Sequence, residues 1–133
     1  MFTPFEHWVE NAPNHHFVYH WEEKTSSCIR DGVVDEIDFY FTDNPTSWSS
    51  PWMPADHAEL LVVEVFVFNP MIITGMNDCY ERHSRRLKKE ALQKGNDSII
   101  YIPPPNRPEE RQGVLFDSRN QIKNISSYNA WRF

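Results

Sequence analysis

Glycine is scarce in this chain, with four among 133 residues. That excludes the glycine-rich loops that cradle phosphates, each of which needs several glycines within a few positions. Cysteine is nearly absent as well. Cys28 and Cys79 stand in no metal-like spacing, so a disulfide framework is not expected, and a reducing cytoplasm is the compartment that cysteine usage fits. No Gly-x-Ser-x-Gly elbow occurs, and Cys28 has no helix start beside it to lower its pKa, which removes the common nucleophile arrangements. The longest apolar run, Leu60 to Val63, is far too short to cross a bilayer. The opening "MFTPFEHWVENAP" lacks the basic start and apolar centre of a signal peptide. Positive charge is also short. The formal net charge is −6 and acidic residues run along the whole chain, so no basic face is offered to phosphates, which argues against a nucleic-acid partner. The one basic run, Arg82 to Lys94, reads as the solvated face of a helix.

What the chain does have is aromatic rings, 14% of its residues, against 40% hydrophobic and 24% charged residues overall. Those values suit a globular fold, and the length suits one domain spanning residues 1–133. Surplus Trp, Tyr and Phe fill a core, bind flat rings or form a recognition surface.

The order of elements is mostly β. Pro4 to Glu10 suggests a short helix with Phe5, Trp8 and Val9 on one side, stopped by the Asn-Ala-Pro turn at 11–13. "HHFVYHW" (15–21) reads as a strand, and "VVDEIDFYF" (33–41) as another that ends in the Thr-Asp-Asn-Pro turn. The segment 44–57, with its three prolines and two tryptophans, reads as an ordered loop. "AELLVVEVFVFNP" (58–70) is almost continuously apolar and β-branched, the pattern of a central strand covered on both faces. A short "MIIT" strand precedes the clearest helix, which has Asp78 as N-cap, Glu81 completing a capping box and Gly95 as its stop. "SIIYIP" (98–103) and "GVLFD" (113–117) are further strands around a proline-rich acidic loop, and "QIKNIS" (121–126) reads as an edge segment. Strands separated by one firm helix and long loops predict an α+β fold with split antiparallel sheets and few helices.

Candidate chemistry is sparse by motif. His15, His16 and His20 cluster in sequence, but neighbours on a strand face opposite sides and no Cys or carboxylate completes a ligand set, so no metal is expected. The ordered set of segments says more. It runs Tyr19-His20, then Phe39-Tyr40-Phe41-Thr42, then Val65 to Asn69-Pro70, a helix, Ile99 to Tyr101, Gln112 to Asp117 and Gln121 to Lys123.

This order resembles the ADP-ribosyltransferase superfamily, in its His-Tyr-Glu branch of diphtheria toxin and the poly-ADP-ribose polymerases, and looks like small bacterial and phage members. Those members have a Tyr-His-Gly start, a Phe-Thr-Asp-Asn-Pro segment and an Asn-Pro after the long strand. The resemblance spans residues 17–125. It implies a cytoplasmic mono-ADP-ribosyltransferase, a glycosyltransferase that uses NAD as co-substrate and modifies a macromolecular acceptor, a protein in the first instance. By position, His20 matches the histidine that hydrogen-bonds NAD around the adenosine ribose and carboxamide. Tyr40 matches the tyrosine that stacks on nicotinamide, Trp48 or Trp52 would supply a second wall, and Thr42 would add a hydroxyl.

The family glutamate falls on Gln112, which can hold a ribose hydroxyl but lacks the charge that favours a developing cation; Glu110 would substitute in part. His20 is followed by Trp21 and Glu22 where the family has small residues. A second reading follows from these departures: a catalytically inactive domain that binds and inhibits a protein partner, anchored by Trp48, Trp52 and Met53, with Trp21 filling the cleft.

Overall fold

The β-branched run at 58–70 organises the fold. In a computed structural model of the chain, residues 2–11, 14–23, 39–44, 58–75, 80–106 and 111–128 are described. A 3₁₀ turn, Phe5–His7, leads into a one-turn helix α1, Trp8–Asn11, and then β1, Asn14–Glu23. Next come β2, Phe39–Phe41, β3, Ala58–Val67, β4, Pro70–Thr74, the helix α2, Tyr80–Gln93, and β5, Ser98–Ile102. The chain continues through β6, Gln112–Leu115, the short helix α3, Ser118–Gln121, and β7, Ile122–Ser127. The fold is α+β, with few helices and two mostly antiparallel sheets.

β3 is the middle of the first sheet, in the order β1-β3-β7, with both neighbours antiparallel. Leu61, Val62 and Val63 are each within 1% of complete burial, so consecutive side chains are covered on both faces there, as the unbroken apolar run implies. β7 is an edge strand, which its mixed sequence fits: Lys123 and Asn124 are exposed. The second sheet has the order β2-β6-β5-β4. Only β4 and β5 run parallel, and α2 lies between them in the chain because a parallel pair needs a crossover.

Alternation along the strands makes two cores. Val18, Leu61, Val63, Val65 and Val67 of the first sheet meet Phe39, Phe41, Ile100 and Leu115 of the second, with Phe5 and Trp8 closing the cluster. The opposite face of the second sheet presents Ile99, Tyr101 and Val114 to Leu87 and Ala91 of α2. The N-terminal turn buries Phe5 and Trp8 as expected, but Val9, expected on the same side, is 61% exposed. The segment opens as a 3₁₀ turn, in which i and i+3 eclipse, so Phe5 and Trp8 share a face and Val9 is carried off it. α2 ends as its glycine predicts. Gly95 has a φ of +80°, the Asn96 N–H donates to the Ala91 carbonyl at 2.9 Å, and the Gly95 N–H donates to Leu92 at 3.1 Å. Asp78, Trp48, Trp52, Met53 and Glu110 lie outside the described residues, as do most of the strand expected at 33–41 and most of the loop at 44–57. No helix among the described residues is long and apolar enough to cross a membrane.

The neighbouring histidines of β1 divide as strand geometry requires. His15 is exposed and pairs with Glu64 at 3.4 Å, whereas His16 is fully buried and stacks on Trp8, ring centres 4.1 Å apart. Neither ring nitrogen of His16 has a hydrogen-bond partner. Burial, aided by the adjacent His15, lowers its pKa from 6.5 to about 4. The unfolded chain therefore takes up a proton below pH 6.5 that the folded chain refuses until about pH 4, and stability falls as pH drops through that window. Denaturant titrations should find wild type losing on the order of 1–2 kcal/mol from this group between pH 7 and pH 5, a loss absent in His16→Leu. Equal pH slopes in the two proteins would refute this account of His16.

Candidate functional site

Among the described residues one isolated backbone bridge spans the two sheets. β1 and β2 belong to different sheets, yet Tyr19 and Thr42 exchange two backbone hydrogen bonds, each 2.9 Å long. Beside that joint the sheets diverge and leave a pocket of about 110 Å³. It is lined by Tyr19, His20, Trp21, Tyr40, Phe41, Thr42, Arg111 and Gln112. Four residues anticipated as a site, His20, Tyr40, Thr42 and Gln112, thus share one cavity although they come from three separate parts of the chain.

His20 is held from both sides. Its Nδ1 donates to the Tyr40 carbonyl at 2.7 Å, and its ring lies 4.5 Å from that of Phe39. A carbonyl oxygen can only accept, so Nδ1 carries the proton and Nε2 keeps its lone pair. Burial lowers the pKa of His20, with the Tyr40 hydrogen bond opposing in part, so the ring is neutral at pH 7. His20 is thereby a fixed hydrogen-bond acceptor at the pocket wall.

Tyr40 and Gln112 sit on neighbouring strands. Tyr40 pairs with Val114, which places Gln112 diagonally across on the same face, and continuing the register brings Thr42 opposite Gln112. Tyr40 is half-buried against the core beneath α2, so its ring is backed by packed side chains. Thr42 is 4% exposed, and its Oγ1 accepts the Asn44 N–H at 3.3 Å. That hydroxyl braces the chain from Thr42 to Asn44 while its residue lines the cavity. Gly113 explains how Phe41 reaches the wall: a Cβ at this position would lie 2.5 Å from two Phe41 ring carbons. Only glycine lets the ring lie across β6.

Sequence reasoning missed Arg111 and Asp43. The Arg111 guanidinium grips Asp43 with two hydrogen bonds, Nε to Oδ1 at 2.9 Å and Nη2 to Oδ2 at 2.6 Å, and reaches Glu6 on its other edge. Asp43 also accepts the Phe5 N–H at 3.0 Å. One buried carboxylate thus ties the N-terminal turn, the end of β2 and the start of β6 together at the pocket rim. Hydrogen bonding to Arg111 holds the Glu6 carboxyl below its usual pKa, with partial burial opposing. A charged residue after an acidic loop and an aspartate in a turn carried no sign of each other before the strands were paired. Among the described residues no group of three His, Cys, Asp or Glu side chains is placed to hold a metal ion.

Trp21 was expected to plug the cleft in the inactive reading. Trp21 is among the residues that line the pocket, and its Nε1 is buried with no hydrogen-bond partner. No protein-family model, curated protein or solved structure matches the chain.

Asp43 is 6% exposed and Glu6 52% exposed, which separates the two ion pairs of Arg111 in weight. Arg111→Met strands a buried carboxylate and should cost about 3 kcal/mol in denaturant unfolding, whereas Glu6→Gln should cost under about 1 kcal/mol. Equal losses would show that the Asp43 pair does not anchor the rim.

Proposed function

We propose that this chain is a small ADP-ribosyltransferase-like domain that moves ADP-ribose from NAD to a macromolecular acceptor, a protein in the first instance. The observation that carries this reading is the meeting of His20, Tyr40, Thr42 and Gln112 in one pocket beside the joint between two split sheets. These are the positions the family resemblance picked out before any strand was paired.

In this reading the nicotinamide ring lies on Tyr40, because an electron-poor pyridinium gains from an electron-rich aromatic face. The His20 Nε2 accepts a hydrogen bond from NAD, its lone pair kept available by the Nδ1 bond to Tyr40. Gln112 receives the hydroxyl of the nicotinamide-side ribose. The bond from that ribose to nicotinamide breaks, nicotinamide departs with the electron pair, and an acceptor nucleophile forms the new bond to the ribose carbon and loses its proton. Catalysis here rests on positioning more than on charge, since the neutral Gln112 does little for an oxocarbenium-like transition state. The acceptor-facing role of the loop 103–111, and any part for Glu110 and Trp48, belongs to the same proposal.

A second reading, a domain without catalysis that binds and inhibits a protein partner, is favoured by the same glutamine. Nicotinamide release from NAD, with binding followed by calorimetry, separates the two. The transferase reading expects Tyr40→Ala to weaken NAD at least tenfold and Gln112→Glu to speed nicotinamide release by about tenfold or more. Wild type that neither binds millimolar NAD nor releases nicotinamide would overturn it and favour the inhibitor reading.

A further inference from the structure

The outer edge of β4 is open. β4 ends the order β2-β6-β5-β4, and no strand among the described residues pairs with its free side. The Gly75 N–H donates to the Ile102 carbonyl at 3.0 Å, just past the parallel register that sets Thr74 beside Ile102. Backbone direction alternates along a strand, so Met71 and Ile73 turn their peptide groups to β5 as Gly75 does, while Pro70, Ile72 and Thr74 turn theirs outward. Sheet edges are commonly blunted by charges, bulges, proline or a cover. Residues 70–74 carry no charge, and their one proline stands at the first position, where it removes a single outward donor. Apolar surface collects beside this edge. Val9, 61% exposed, belongs to α1, which lies against β4, and Phe68, 63% exposed, stands two residues before Pro70.

We propose that β4 is a self-association edge, at which a second copy of the chain adds its own β4 antiparallel about a two-fold axis at Ile72. The occupant follows from the symmetry of the strand. An antiparallel copy centred there lays the whole of one β4 along the whole of the other. Ile72 then faces the partner's Ile72, and each N–H meets the other carbonyl. Thr74 faces the partner's Pro70, so the Thr74 N–H meets the carbonyl that is the only backbone group a proline offers. A neutral strand also meets no like-charge repulsion from its copy. The interface is isologous and closes at a dimer, with one continuous sheet across both chains. β2, whose residues line the pocket, is at the opposite edge of the sheet, so both pockets stay open and the inference is independent of what they hold.

Sedimentation equilibrium of the full chain tests this, with two variants at an exposed position of the edge. Thr74→Pro removes an outward N–H that the ladder with β5 does not use, and Thr74→Val keeps it. The expected result is a concentration-dependent dimer whose dissociation constant rises about tenfold or more in Thr74→Pro and is unchanged in Thr74→Val. Wild type alone supplies a second readout, which stands even where Thr74→Pro fails to fold. In a mixture of ¹³C-labelled and unlabelled chains, an intermolecular NOE should link the Met71 Hα to the partner's Ile73 Hα, the close pair that this register creates beside Ile72. A chain that stays monomeric at millimolar concentration, a dimer that folded Thr74→Pro leaves intact, or a dimer without that NOE would overturn the proposal.

Discussion

Two backbone hydrogen bonds between Tyr19 and Thr42 are the joint on which this architecture turns. Among the described residues they form the isolated backbone bridge that ties β1 of one sheet to the end of β2 in the other. With them, the strand bearing His20 and Trp21 and the strand bearing Tyr40 are locked in register at one point and free to diverge beyond it. A sheet that continued across the joint would pair those backbones and close the space between them. A wholly separate pair of sheets would leave the side chains unregistered. The split geometry gives a cavity whose walls are rigid because each belongs to a packed sheet.

The joint is braced electrostatically on one side. Asp43 follows Thr42 directly, and its two oxygens are taken up by Arg111 and by the Phe5 N–H. Burying that carboxylate is tolerable only because the guanidinium matches it with two parallel bonds. The consequence is mechanical: Gln112, next in the chain after Arg111, cannot move without disturbing a buried ion pair. The same arrangement spends the positive charge of Arg111 on the carboxylates of Asp43 and Glu6.

Much of this was readable from residues alone, and the reasons differ by element. The unbroken β-branched run of β3 announced a strand covered on both faces, and Gly95 announced the end of α2, because both signals are local physics. The α+β class followed from the order of such signals. Val9 was misplaced because the segment opens as a 3₁₀ turn, whose period of three aligns Phe5 with Trp8 but not with Val9. Arg111 and Asp43 stayed hidden because their pairing spans 68 positions and depends on the β2–β6 register, which no local pattern encodes. Four of the candidate residues came from an ordered resemblance, and that they share a pocket, like the unpartnered Nε1 of Trp21, was visible only once the strands were paired.

The central claim is that the nicotinamide end of NAD seats at the joint between the sheets. The most direct measurement is an NMR titration of the uniformly ¹⁵N-labelled chain with NAD, followed residue by residue. The account predicts the largest shifts at the amides of Tyr19, His20, Thr42, Gln112 and Gly113, with the amides of β4 and α3 unmoved. Shifts confined to other surfaces, or none at millimolar NAD, would contradict it.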